Sequence, residues 1–301
     1  EWRAAAAVHR ERMLNLVDGL PHEVDMRHPI YNFLFQYYSF DHALLLKWSP
    51  GIHVICKGAS VARERELWTG KGWQWDTTVK DRGRMAPELC KPSVRKAARA
   101  AAEIMRRSQA RAPHLNCYGL HEWAMLYRPD GAPQPHKHQS LPLRVDQATI
   151  NRVVEADEIK CTHFDAFRFF APEAVEKNRH ALTRQTQLDH EQPACVHANM
   201  DLLRYALRLA PFVDAALIGD ALDVALQARD LDIRASPYYL LAGAAPVEVE
   251  TTAGRKEYVR RQAAVHDAAA PVRDRLLAAY DDFFLAHALV PDARAEAKLV
   301  V

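Results

Sequence analysis

Along the C-terminal half of the chain, apolar residues recur at helical spacing. Val196, Met200, Leu203 and Leu207 make one face of a helix predicted from Pro193 to about Leu209. Pro211 opens a second helix through ALIGDALDVALQARDL, and the loop RASPYY follows it. Residues 254–290 read as one or two long helices, with Pro271 as the kink or break. Near the other end, residues 2–17 are rich in Ala, Arg and Leu and predict a helix. His28-Pro29 suits the start of an aromatic helix, IYNFLFQYYSF, in which Tyr31, Phe35 and Tyr38 share a stripe. Residues 41–48 read as a short helix capped by Asp41.

The pattern changes in the middle of the chain. In 52–80, Trp68, Trp73 and Trp75 are punctuated by Gly70 and Gly72, which suggests a small β-element or an ordered loop. Residues 93–111 are strongly helical, and 114–128 (HLNCYGLHEWAMLYR) predict a buried helix. The stretch 143–170 alternates enough for two strands, with a helix equally open. The expected fold class is therefore mainly α: one helical globular domain over 1–301, with a small β-element near 52–80 or 143–170. A proline- and histidine-rich loop at 129–142 is the candidate sub-boundary. No repeat shows at periods of 20–50 residues, so a regular solenoid is not expected.

Composition narrows the classes. A chain of 301 residues can bury roughly three quarters of its surface. A net charge of +2 makes neither nucleic acid nor a membrane the default partner. The five cysteines include no C-x-x-C pair, which argues against a disulfide framework or a four-thiolate zinc site and sets a cytoplasmic expectation. No apolar run is long enough for a membrane span, so no membrane partner is expected. The chain does not open on a basic-then-apolar leader. Nothing along it indicates an oligomeric state. Dinucleotide, P-loop, zincin and α/β-hydrolase signatures are missing.

Three segments carry candidate chemistry. His197 and Asp201 stand four apart, on one helical stripe, with Glu191 just upstream. Such a group can ligate a divalent metal, with His121 as a further imidazole. The H-x-x-x-D spacing resembles that of the heme-oxygenase-like di-iron enzymes, although this chain has Arg204 where that family has another histidine. Equally, His197, Asp201, Arg204 and Arg208 can make an ordinary polar stripe with i,i+3 and i,i+4 pairs. His121 and Glu122 interrupt an apolar helix, where a carboxylate gains a raised pKa unless it is paired. In CTHFDAFRFF, a strand would put His163, Asp165 and Phe167 on one face and Arg168 on the other, an aromatic wall suited to a planar heteroaromatic ligand. A core strand whose charges pair at its ends is the plainer alternative.

Weaker signals are Arg234, Ser236 and Tyr238 in a loop, and a glycine turn at Gly254-Arg255-Lys256 of the kind that binds anions. The H-x-H of His136 and His138 is unspecific. From Lys91 to Arg111 there are seven basic residues against Glu103 alone. That helix either tracks a phosphate backbone or is a solvated face balanced by acids elsewhere.

The stretches HPIYNFLFQYYSF, CYGLHEWAMLYR, LPLR, CTHFDAFRFF, EQPACVHANMDLLRYA, DIRASPYY and GRKEYVRRQ together resemble a bacterial family labelled 3-methyladenine DNA glycosylase. The resemblance runs from about residue 28 to 275. It implies removal of an alkylated base from DNA, or action on a related small nucleobase ligand, with the base flipped into an aromatic pocket and no cofactor. Glu122, Asp165 or Glu191 would then assist glycosidic hydrolysis. Tyr38, Trp123 or Phe167 would stack the base, His163, Arg168, Asn199, Arg234 and Tyr238 would add contacts, and helix 93–111 would hold the backbone. The residues alone support a rival: an iron- or manganese-dependent oxidase or oxygenase of a small molecule, with His121, His197 and Asp201 as ligands. A third reading is a non-catalytic binder of an aromatic ligand.

Overall fold

The computed structural model describes residues 2–17, 34–35, 37–39, 42–58, 72–79, 81–130, 132, 142–240 and 245–288. It is mainly helical, with one small antiparallel sheet. The expectations at His28-Pro29, Tyr31, Asp41, Trp68, His136 and His138 lie outside the described residues.

In chain order the elements are α1 (Trp2–Leu16), β1 (Ile55–Lys57), β2 (Trp73–Trp75), β3 (Arg82–Met85), α2 (Pro92–Gln109), α3 (His121–Met125), α4 (Gln147–Glu155), α5 (Phe164–Phe167), α6 (Gln187–His190), α7 (Val196–Leu209), α8 (Ala215–Arg234) and α9 (Thr252–Ala288). In the sheet β3 lies between β1 and β2, with Cys56 opposite Gly83 and Trp73 opposite Met85. Residues 42–46 form a 3-10 turn.

The core is the packing of α7 against α8, with α9 laid along both. In α9 the buried residues Tyr258, Gln262, Val265, Ala269, Val272, Leu276, Tyr280 and Phe283 follow one another at steps of three or four. That stripe continues on both sides of Pro271, and α9 runs through this proline as one helix. Of the one or two helices expected here, the chain forms one, because apolar burial on either side outweighs the single backbone hydrogen bond a proline removes. α2 buries Ala98, Ala101, Ala102 and Met105, packing on α7 and α9. Its basic face is partly neutralised by neighbouring acids: Arg106 pairs with Asp281 of α9, and Arg107 stands 3.6 Å from Asp189 of α6.

Two segments differ from the sequence pattern in ways that shape the site. The helix predicted over 114–128 is confined to α3. Tyr118 and Gly119 just before it take positive φ (51° and 66°), and a Cβ at Gly119 would stand 3.2 Å from Ala235 Cβ. This left-handed turn favours glycine, and it starts α3 with His121 and Glu122 facing inward. Within 143–170 the Asp146 carboxylate accepts from Thr149 N (2.8 Å) and caps α4, while α5 replaces the strand expected through His163 and Asp165. In α4 the buried Ile150, Val153 and Val154 fall on one helical face. At Gly254 a Cβ would approach Glu248 O to 1.9 Å, and the Gly254 N–H already donates to Thr251 Oγ1 at 2.9 Å. Its glycine is thus explained by backbone crowding and capping rather than by an anion.

Candidate metal centre

Helical geometry brings polar side chains of α3, α5, α7 and α8 into the middle of the apolar core. His197 enters from the first turn of α7 and His121 from the first turn of α3; their rings meet edge to face with centroids 4.2 Å apart. Asp232 reaches them from the last turns of α8. Its Oδ1 is 3.5 Å from His121 Nε2 and 3.9 Å from His197 Nε2. The donor atoms of these three buried residues all lie within 4.8 Å of one another.

These separations exceed the 2.7–3.2 Å of a hydrogen bond, and Asp232 Oδ1 has no hydrogen-bond partner among the described residues. A buried carboxylate oxygen left without a partner costs about 1–3 kcal/mol. Donor atoms bonded to a common first-row ion at about 2.1 Å stand roughly 3.0–3.5 Å apart; the Asp232 Oδ1 separations of 3.5 and 3.9 Å lie at or just above that range, within a set whose donor atoms span no more than 4.8 Å. The other Asp232 oxygen is held by Arg229, the kind of outer contact that orients a ligating carboxylate. Two imidazoles and one carboxylate leave coordination positions open, as in catalytic zinc and non-heme iron sites.

The electrostatics follow from burial and mutual charge. Burial alone would lower the His121 pKa, but Asp232 and Glu122 outweigh it and hold it above the ordinary histidine value. Burial, and next the neighbouring His121, hold His197 well below that value, so its ring is a neutral imidazole able to donate a lone pair. Burial pushes Asp232 up, yet His121, His197 and Arg229 together keep it below the usual carboxylate range.

A second cluster backs the first. His163 stacks on His197 with centroids 5.3 Å apart and places Nε2 3.2 Å from Asp201 Oδ2 and 3.9 Å from Glu191 Oε2. Asp201 also receives the Tyr38 hydroxyl at 2.9 Å and an ion pair from Arg204. Burial raises the Asp201 carboxyl, but Arg204 and His163 bring it down to about 2. Glu191 accepts from Gln187 Nε2 at 2.9 Å, and burial raises its pKa. The sequence puts His197 and Asp201 together as a ligand pair. The two share a helix stripe, but Arg204, Tyr38 and His163 engage Asp201, and Asp232 takes its place beside His197.

Of the other sequence candidates, Glu122 lies at the centre, 3.7 Å from His121 Nε2 and 3.5 Å from Arg229 Nη1, with Oε2 unpartnered. Tyr238 is wholly buried with an unpartnered hydroxyl; burial first, and then the Glu122 charge, raise its pKa. Asp165 stands one layer out, clasped by Arg184 (2.5 Å), Arg204 (3.2 Å) and Arg168 (3.5 Å). Four candidates do not face the centre. Trp123 is 0 % exposed and donates from Nε1 to Ala235 O at 2.8 Å, so neither ring face is free for a base. Phe167 packs on Phe170, and Asn199 Oδ1 accepts from Arg273. Arg234 pairs with Asp230 at 2.6 Å.

Sequence reasoning missed Arg229 and Asp232. The signal was present: on α8 they continue the stripe of Ile218, Leu222 and Ala225, so two charges occupy positions where the helical period predicts core. A small cavity of about 20 Å³ adjoins the centre, bordered by both imidazoles and by Cys117, Cys161 and Cys195. Burial pushes the Cys161 thiol up to about 12 and holds the Cys195 thiol well above the ordinary thiol value. Among the described residues no helix is long and apolar enough to cross a membrane. Comparison with family models, curated proteins and solved structures finds no match.

Proposed function

We propose that this chain is a metal-dependent enzyme holding one divalent first-row ion, iron or manganese, on His121, His197 and Asp232, and acting as an oxidase or oxygenase of a small molecule. The observation that carries this reading is the buried, unpartnered Asp232 Oδ1 facing two imidazole nitrogens at 3.5 and 3.9 Å. A bound ion would supply Lewis acidity and one-electron chemistry at its open positions. The chain's own groups divide the remaining work. Arg229 fixes the Asp232 carboxylate, His163 packs behind the His197 ring, and Glu122 Oε2 is a buried acceptor with no hydrogen-bond partner among the described residues.

The base-removing reading keeps the motif resemblance in its favour. The geometry gives it less support. Asp165 is paired with guanidinium groups, and Trp123 offers no open face. Equilibrium dialysis of the purified protein against Fe²⁺, Mn²⁺ and Zn²⁺ separates the readings. About one equivalent bound, and lost in both His121→Ala and Asp232→Asn, is the expected result. A protein that binds no metal and releases methylated base from alkylated DNA would reverse the order.

A further inference from the structure

We propose that the metal centre takes a small carboxylate-bearing anion as its substrate, drawn in through a cationic mouth formed by Lys160 and Arg255. This rests on the metal reading above and deepens it by naming the substrate class. The first ground is the charge of the centre. A ligating histidine offers the lone pair of a neutral imidazole, so a divalent ion on His121, His197 and Asp232 meets a single negative ligand. Glu122 and Arg229 stand 3.5 Å apart and offset one another. The second cluster lends no spare negative charge. Arg168, Arg184 and Arg204 gather on Asp165, Arg204 also reaches Asp201, and Glu191 lies beside His163. The loaded centre therefore carries one uncompensated positive charge among buried side chains. A buried charge without a counter-charge is costly, and a monoanion at an open position removes that cost.

The second ground is the approach to the centre. The residues bordering the hollow at His121 and His197 are buried except Cys117 and Thr162, so its solvent side lies between these two. Each is flanked by a cation. Half-buried Lys160 stands two residues before Thr162, and Arg255 lays its guanidinium 5.0 Å over the ring of Tyr118, the neighbour of Cys117. Arg255 Nε donates to Val249 O (3.0 Å), and neither cation has a carboxylate partner among the described residues. The acids beside them in sequence are engaged elsewhere. Glu158 pairs with Arg179, Glu257 pairs with Arg260 and Arg261, and Asp157 accepts from Glu158 N. Spare positive charge at a cleft raises the local concentration of anions, and the charge of the centre then retains them.

The test is spectroscopic, with cobalt(II) standing in for the first-row ion, since its visible bands change when a ligand enters an open position. Cobalt-loaded protein is titrated with sodium acetate and, separately, with uncharged acetamide. Acetate is expected to shift the bands at a concentration at least about tenfold below that of acetamide. Lys160→Gln combined with Arg255→Gln should raise the acetate half-saturation roughly two- to tenfold, the scale of two partly exposed charge contacts. Equal responses to the two ligands, or no response to acetate, overturn the proposal, as does an acetate half-saturation that the double variant leaves in place. The wild-type comparison decides the question even if the double variant does not fold. Dialysis of the same preparation keeps the two ideas apart. Cobalt bound without preference for acetate sinks the substrate class alone, whereas no cobalt bound sinks the metal reading on which it stands.

Discussion

Replacing His197 with alanine separates ligation from packing. The ring is buried and neutral, and it contacts His121 and His163. Its loss leaves Asp232 still paired with Arg229, so the metal-free variant should lose only about 1–3 kcal/mol, a common cost for a core truncation. Metal binding is different. At a free ion concentration of about 100 times Kd, a ligand that binds only the folded state contributes about 2.7 kcal/mol. For a chain this long, each kcal/mol moves Tm by roughly 2 °C, so the wild type should gain about 5 °C on adding the ion. Losing one of three ligands weakens binding at least about 100-fold, more than the usual cost of an outer-contact change. The same ion concentration then contributes only about 0.4 kcal/mol, or about 1 °C. Scanning calorimetry with and without anaerobic Fe²⁺, or Mn²⁺ in air, reads both increments. An undiminished increment in His197→Ala would refute the ligand assignment.

Other outcomes follow from the same geometry. Asp201→Asn should bind the metal as the wild type does, because Asp201 is engaged by Arg204, Tyr38 and His163; dialysis checks this, and loss of metal would restore Asp201 as a ligand. Asp201 also shapes acid stability. Its folded carboxyl stands at about 2, against about 3.9 in an unfolded chain. A depressed folded pKa means the contribution, of order 2 kcal/mol, is fully present above about pH 4 and is lost as pH falls toward 2. Asn at this position should flatten that limb of the denaturation curve. Arg204→Ala removes the guanidinium shared by Asp165 and Asp201 and should cost about 3–5 kcal/mol in urea titration, as breaking a buried pair does. A loss under 1 kcal/mol would show that the two carboxylates manage without it.

The periodic helices were the most legible part of the chain. The apolar face of α7 was readable because Val196, Met200 and Leu203 dominate it, and the stripe of α9 survives its proline. Helix starts were read too early. Pro193 and Pro211 mark turns, while α8 begins after Asp214, whose carboxylate accepts from Ala216 N at 2.7 Å. The 114–128 segment misled because its composition is helical throughout, and the left-handed turn at Tyr118–Gly119 is a local backbone event that composition does not encode. At the site, His121, Glu122, His163, Glu191 and His197 were conspicuous as polar residues in apolar surroundings, and they do gather in one place. Their partners were less visible. Shared helix faces put His197 with Asp201, but which carboxylate meets which imidazole depends on how α3, α5 and α8 pack. That packing gave Asp201 to His163 and Asp232 to His121 and His197.

Anomalous diffraction tests the central claim most directly. Crystals grown with Fe²⁺ or Mn²⁺ and measured at the metal edge should show a single strong peak about 2.1 Å from His121 Nε2, His197 Nε2 and Asp232 Oδ1. A map with no peak there, and with Asp232 Oδ1 drawn into a direct hydrogen bond from a protonated His121, would contradict it.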